Sequence, residues 1–175
     1  MFATIYVPNF YLQAAIRHQP ELAATPVALI DDQEAKAVII QLNRAAEEVG
    51  VTCGMTPSQG LARYLQLVVK CRLREQEKLL SELLLHFCYT LAPYIEATAP
   101  GVCTVQFTDT RHLTREVERV IAQLQDSGVA AQAGIAPTPD ASFLAAHLAD
   151  PVLQIDDVKD FLAPLPIETL SIAIS

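Results

Sequence analysis

The sequence predicts an α+β fold, a ferredoxin-like antiparallel sheet with helices on one face, carrying a small inserted subdomain. Three observations lead there. With residues 24–72 set aside, the segments read strand, helix, strand, strand, helix, strand, the order of a ferredoxin-like layer. Residues 72–91 hold Leu73, Leu79, Leu80, Leu83, Leu84, Phe87 and Leu91 at helical spacing, the strongest helix in the chain. Residues 24–72 contain strands and short helices of their own, so they read as an insertion with its own mixed unit.

Each element follows from local chemistry. Residues 3–8 alternate weakly and form a first strand, and residues 10–18 a short helix with Leu12, Ala15 and Ile16 inward, ended by Pro20. Residues 26–31 and 35–41 are rich in Val and Ile and flank the polar turn Asp31-Asp32-Gln33-Glu34, a hairpin pattern. Asn43 caps a helix over 44–49, which Gly50 stops. Thr56-Pro57 opens a helix through Tyr64, with proline suited to the first turn. Residues 66–70 are a strand, and Pro93 closes the long helix. Strands at 94–98 and 102–108 are joined by Pro100-Gly101. Leu113, Val117, Val120, Ile121 and Leu124 mark an amphipathic helix over 112–126, stopped by Ser127-Gly128. Val129 to Ala136 is a strand, and Thr138 caps a helix over 139–148. A short helix near 157–161 leads to Pro164-Leu165-Pro166 and the tail Ile167 to Ser175, whose ending shows no capping logic.

Composition excludes several classes. The chain has 175 residues, 51% hydrophobic and 18% charged, which suits a packed core and argues against disorder. No stretch approaches the ~18 apolar residues of a membrane span, and no basic leader precedes the first strand, so the expected compartment is the cytoplasm, without a membrane partner. Cys53, Cys71, Cys88 and Cys103 show no CxxC pairing and read as reduced thiols, with Cys103 pointing into the core. A Cys103–His112 nucleophile is outweighed by the ordinary role of cysteine as a small core hydrophobe. The four histidines are scattered, so no zinc site is expected. A net charge of −8 disfavours tight DNA binding by this chain alone, and the basic strip Arg63, Lys70, Arg72, Arg74 and Lys78 reads as a solvated face.

Four stretches carry a family resemblance. They are Ile5 to Ala15; Asn43 to Pro57, with a helix ending at Gly50-Val51 and the turn Gly54-Met55-Thr56-Pro57; Ile95 to Phe107; and Ala133-Gly134-Ile135-Ala136-Pro137-Thr138-Pro139 with the helix after it. In this order and spacing they resemble the palm and fingers of Y-family (translesion) DNA polymerases. The resemblance implies a palm at 1–23 and 73–165, a fingers insertion at 24–72, and the start of a thumb at 166–175. Most of the thumb and a little-finger domain would follow residue 175.

The departures from that family are specific. Nucleotidyl transfer there needs two magnesium ions held by acids at the tips of two strands. The aligned positions are Pro8, Phe10, Gly101 and Val102, none a magnesium ligand through its side chain. The fingers Tyr and Arg that touch the triphosphate align with Arg44 and Glu47, the palm lysine with Phe143, and the aromatic that screens the sugar with Gln13. Asp31, Asp32, Asp109, Asp156 and Asp157 read as solvated loop carboxylates rather than a rebuilt metal site. Ser142 and His147 are five apart on one helix, which does not face them toward each other.

Within the Y family this pattern resembles the ImuB group. That implies a noncatalytic adaptor in DNA damage tolerance and induced mutagenesis, with no catalytic residue, no metal ligand and no cofactor in this chain. By the same resemblance its partners are a RecA-like accessory protein, an error-prone C-family polymerase and the sliding clamp, with DNA met weakly or through domains beyond this chain. Two alternatives stay open: an active Y-family polymerase with an unconventional metal site, and an unrelated ferredoxin-like binding module, which would lack the inserted unit at 24–72.

Overall fold

The structure, a computed structural model, describes residues 1–31, 33 and 37–169. In chain order its elements are β1 (Phe2–Tyr6), α1 (Phe10–Ile16), β2 (Val27–Ile30), β3 (Ile39–Leu42), α2 (Arg44–Glu48), α3 (Pro57–Arg63), β4 (Val68–Cys71), α4 (Arg74–Leu91), β5 (Ile95–Ala99), β6 (Val102–Gln106), α5 (Leu113–Asp126), β7 (Gln132–Ala136), α6 (Pro139–Leu148), β8 (Val152–Gln154) and α7 (Val158–Leu162), with a 3-10 turn at Pro20–Leu22. They pack as two compact units: Met1–Pro8 with the chain from Ser81 onward, and Asn9–Leu80.

In the first unit the sheet order is β5-β6-β1-β7-β8. β1 runs antiparallel to both neighbours, with Ile5 opposite Cys103 on one side and Ala133 on the other. This is the ferredoxin-like arrangement expected from the segment order, and the α+β fold is the one predicted. Alternation sends Ala3, Ile5, Cys103, Val105, Ala133 and Ile135 to one face, all essentially inaccessible to water. Cys88 of α4 reaches Cys103 on that face, and both thiols are buried as expected for core residues. Their mutual hydrogen bond and burial push the Cys88 thiol far up.

The opposite face carries Thr4, Thr104 and Gly134, and α6 lies on it. A β-carbon at Gly134 would stand 2.2 Å from both Ala146 N and Ser142 O, so only glycine admits the helix. The fully buried Thr4 hydroxyl meets Thr104 Oγ1 at 2.9 Å and Ser142 Oγ at 2.8 Å, and Ser142 donates to the Pro139 carbonyl at 2.7 Å. Helices therefore cover both faces, one layer more than the sequence suggested.

Several boundaries moved for visible reasons. The strand predicted over 129–136 starts at Gln132, because Gly128 N–H bonds Gln125 O and Val129 N–H bonds Leu124 O, closing α5 in a left-handed glycine cap. The helix predicted from 72 starts at Arg74, because Arg72 N–H still bonds Ile30 O and extends the β2–β4 pairing. The strand predicted over 66–70 shifts to Val68–Cys71, with Leu67 N–H held in a turn by Tyr64 O. β8, which the sequence reading missed, pairs parallel with β7.

The second unit is a three-stranded sheet, β3-β2-β4, with the predicted antiparallel β2–β3 hairpin and a parallel β2–β4 pair. The predicted turn residues Asp32 and Glu34, the first two residues of the strand predicted at 35–41, and the tail at 170–175 lie outside the described residues. Asn43 organises this unit. Its side-chain oxygen accepts from Ala46 N–H to cap α2 and from Val27 N–H at the start of β2, and its amide donates to Thr25 O. Thr56 and Gln59 form a full capping box on α3. α1 packs on β2 and β3, and Gln41 of β3 accepts its Leu12 N–H. Leu12, Ala15, Val27 and Leu29 form the core beneath α1, and Ala28, Ile39, Leu42, Ala46, Val51 and Leu67 form a second one.

Gly134→Ala is expected to lower stability by about 3 kcal/mol or more, through overpacking against the α6 backbone. Denaturant unfolding of the purified chain checks this; a change under about 1 kcal/mol would contradict the packing described.

Candidate functional site

The candidate site lies where β1 and β6 end beside α6, in the first unit. β1 stops at Tyr6, opposite Val102, and Val7 N–H extends the pairing to the Gly101 carbonyl at 2.8 Å. Gly101 has φ 76, so the turn between β5 and β6 needs a residue that enters the left-handed region. Glycine here is accounted for by backbone geometry. Val102 beside it is buried, and Pro8 is half-exposed. Phe10 opens the helix as the sequence predicts: it is the first residue of α1 in the second unit, buried and edge-to-face with Tyr11.

Strand alternation puts Tyr6 on the α6 face, with Thr4 and Val102. Its ring stacks on His147 at 3.9 Å between centroids and 23° between planes. Phe143, one helical turn earlier, tilts against the imidazole with 4.4 Å between centroids. His147 Nδ1 donates to the Phe143 carbonyl at 2.9 Å, which fixes the ring and its tautomer. Burial lowers the His147 pKa, and the bond to Phe143 only partly opposes it. Burial raises the Tyr6 phenol. Both rings are therefore neutral near pH 7, and the strand end presents stacked aromatic surface. Sequence reasoning missed this group. Tyr6 and His147 are far apart in the chain, and only the strand register together with the Gly134 contact brings them together.

The remaining positions stand apart. Ser142 points into the sheet and is consumed by Thr4 and Pro139, so it faces away from any role with His147. His112 is exposed while the Cys103 thiol is buried against Cys88, so those two do not meet. Arg44 and Glu47 both lie exposed on α2, with Arg44 paired to Glu48. Gln13 sits within α1, half-buried.

Asp31 corrects the reading of solvated carboxylates. It is 8% exposed and bridged by Arg72 at 3.2 Å and Arg74 at 2.6 Å. Desolvation acts to raise its pKa, but the Gln33 N–H and the charges of Arg74 and Arg72 outweigh it and hold the carboxyl below its usual range. Arg72 also grips Glu77 with two nitrogens, at 2.8 and 2.7 Å, and lies 3.8 Å over the Tyr11 ring. The strip read as a solvated face is thus, at Arg72, an internal clamp between β2, β4 and the start of α4. Lys70 donates to Gln19. Asp109 pairs with exposed Arg111, Asp156 accepts from Gln154, and Asp157 caps α7. Among the described residues no helix is long and apolar enough to cross a membrane.

The model of the impB/mucB/samB family matches residues 5–147. DNA polymerase IV of Pseudomonas syringae pv. tomato is 27% identical over 172 residues, covering 92% of this chain and 48% of that protein. DNA polymerase IV of Legionella pneumophila (strain Corby) is 26% identical over 175 residues, with the same coverage. The chain spans about half the length of the curated relatives it matches. An insertion ternary complex of Dbh DNA polymerase shares the fold with a TM-score of 0.84 at 15% identity, over 96% of this chain and 53% of that one. DinB from Sulfolobus solfataricus gives a TM-score of 0.84 at 16% identity, over 96% and 52%. The Y-family palm and fingers fold expected from the sequence is the fold found.

One expectation is overturned. The resemblance to the ImuB group implies a chain that is not an enzyme, but the relatives matched along nearly its whole length are named DNA polymerase IV, an enzyme. The inference rested on side chains at strand tips placed by weak motifs. A one-residue slip in a strand exchanges its two faces. Residues covering half of a protein also do not inventory its acids.

The His147 shift has a sign that can be tested. The folded state binds this proton less tightly than the unfolded chain. Its contribution is complete above about pH 6.5 and is lost as pH falls through the lower folded value. The melting temperature of the chain is expected to drop more steeply between about pH 7 and about pH 5 than that of His147→Phe. Parallel curves would mean the imidazole is not desolvated by Tyr6 and Phe143.

Proposed function

Because the chain belongs to the impB/mucB/samB family, we propose that it forms the palm and fingers of a Y-family, DNA polymerase IV-like protein that acts in DNA damage tolerance through translesion synthesis. The observation that supports this best is the continuous agreement of order and register. β1 sits between β6 and β7, α6 closes over Gly134, and the family match runs from the first strand to His147 at the end of that stack. In this reading residues 1–23 and 73–165 are palm, 24–72 fingers, and 166–175 the start of the thumb.

Within the family the reading favours the ImuB group, a damage-induced cytoplasmic role in mutagenesis. What supports it is the set of residues aligned with the family's acids, Pro8, Phe10, Gly101 and Val102. The partners in this reading are a RecA-like accessory protein, an error-prone C-family polymerase and the sliding clamp, with DNA held mainly by parts of the protein beyond these residues. The net charge of −8 fits that division, since phosphate contacts dominate DNA affinity.

Deleting the gene in its host is expected to lower damage-induced mutation several-fold, with the full-length protein restoring it. The complementary measurement is lesion bypass on a primed template by the full-length protein together with those partners. Unchanged mutation after damage, with no effect of the protein on bypass, would reject the proposal.

A further inference from the structure

The sheet of the first unit has one edge that no described element pairs with. β5 hydrogen-bonds to β6 on one side only, and Glu96 to Ala99 are exposed. Open strand edges are normally blunted by lysine, an internal proline, a bulge or a covering element. β5 has the sequence Ile95-Glu96-Ala97-Thr98-Ala99, with no lysine and no internal proline. Its register breaks between Glu96 and Ala99, which protects the far end and leaves the first half regular. The opposite edge strand, β8, is only three residues long and packs against α5 and α6.

The backbone direction along β5 can be assigned. Tyr94 C=O accepts from Gln106 N–H, and Glu96 lies opposite Thr104. By alternation the backbone groups of Ile95 and the N–H of Ala97 point away from β6, toward the open edge. The side chains of Tyr94 and Glu96 share the α6 face. There they border a groove of about 290 Å³ whose walls include Phe2, Thr104 and Pro139. Tyr94 is 65% exposed beside it.

We propose that this edge is a docking site for an extended basic segment of a partner protein, which adds to β5 as a sixth strand and seats an aromatic or aliphatic side chain in the groove. Main-chain bonds to Ile95 and Ala97 supply the pairing, and the groove reads alternate side chains of the added strand. The basic character follows from charge. Glu96 is the one charged residue of β5, and the chain as a whole carries −8, so a cationic strand is drawn in and an acidic one repelled. The inference goes beyond the role in damage tolerance and stands without it, because it uses only the edge and its groove.

The test uses the full 175-residue chain and two synthetic peptides of about eight residues, long enough for a typical strand. One alternates lysine with valine around a central phenylalanine, and the other replaces each lysine by glutamate. Amide hydrogen exchange at Ile95 and Ala97 is followed with each peptide. The basic peptide is expected to slow exchange at both amides, and the acidic one to leave them unchanged. Ala97→Pro removes an outward donor without removing a ladder bond, which edge strands tolerate, and Glu96→Lys reverses the charge. Each is expected to weaken binding of the basic peptide by about tenfold or more. If Ala97→Pro does not fold, Glu96→Lys alone decides the case. Equal binding of both peptides, no protection at the two amides, or unchanged affinity in Glu96→Lys would overturn the proposal. So would protection that rises with protein concentration in the absence of peptide, which would make the occupant a second copy of this chain.

Discussion

The first unit depends on the approach of α6 to the backbone of β7 at Gly134. At that distance no side chain fits between helix and strand, so carbonyl and amide groups of α6 lie directly over the sheet. The small residues around the contact follow from it. Ala136, Ala141 and Ala145 are buried in one cluster with Ile155, and Ser142 replaces what would be an apolar contact with a hydroxyl facing Thr4. A buried hydroxyl without a partner costs about 1–3 kcal/mol, so Thr4, Thr104 and Ser142 are acceptable there only as a connected set. The chain of hydroxyls ends on the Pro139 carbonyl, which fixes the direction of its protons. α6 is thereby set in one rotation about its axis, and that rotation places Phe143 and His147 at the end of β1.

The second unit solves a different problem. Its sheet is small and has a parallel pair, and hydrophobic burial alone gives few kilocalories in so small a body. Polar side chains do much of the connecting. Asn43 joins the start of β2, the loop before it and the first turn of α2 with one amide group. Arg72 joins Asp31 after β2, Glu77 in α4 and the Tyr11 ring of α1. Removing either partner of such a buried pair leaves a charge uncompensated, so the clamp is better described as fixing geometry than as a large net stabiliser. It also changes the meaning of the basic residues on this stretch: a guanidinium that already holds two carboxylates has little left to offer a phosphate.

Much of the fold was legible because it rests on local signals. Asn43, Thr56, Thr138, Gly50 and Gly128 all cap or stop the helices the sequence assigned to them, since caps are chemistry between residues three or four apart. β8 was not legible. Its three residues after Pro151 carry no period, and the strand exists because β7 offers an edge for Ala133 N–H to reach Pro151 O. The buried state of Asp31 was equally invisible, for it depends on two arginines about forty residues on. Tyr6 was not legible, because His147 is far along the chain and only the strand register and the Gly134 contact bring the two rings together.

Side chains two residues apart on a strand share a face, so Thr4 and Tyr6 look toward α6, while Val7 is turned to the buried side with Ile5. The group that meets anything arriving beside α6 at the end of β1 is Tyr6, backed by His147 and bordered by Val102. The stack depends on protonation. Placing a second proton on His147 puts a cation against the Tyr6 and Phe143 rings in a desolvated place, with Nδ1–H still committed to Phe143 O and a new Nε2–H donor to be satisfied. The end of β1 and the register of α6 are therefore coupled through one imidazole: the contact at Gly134 sets where it stands, and its neutrality lets Tyr6 lie flat upon it.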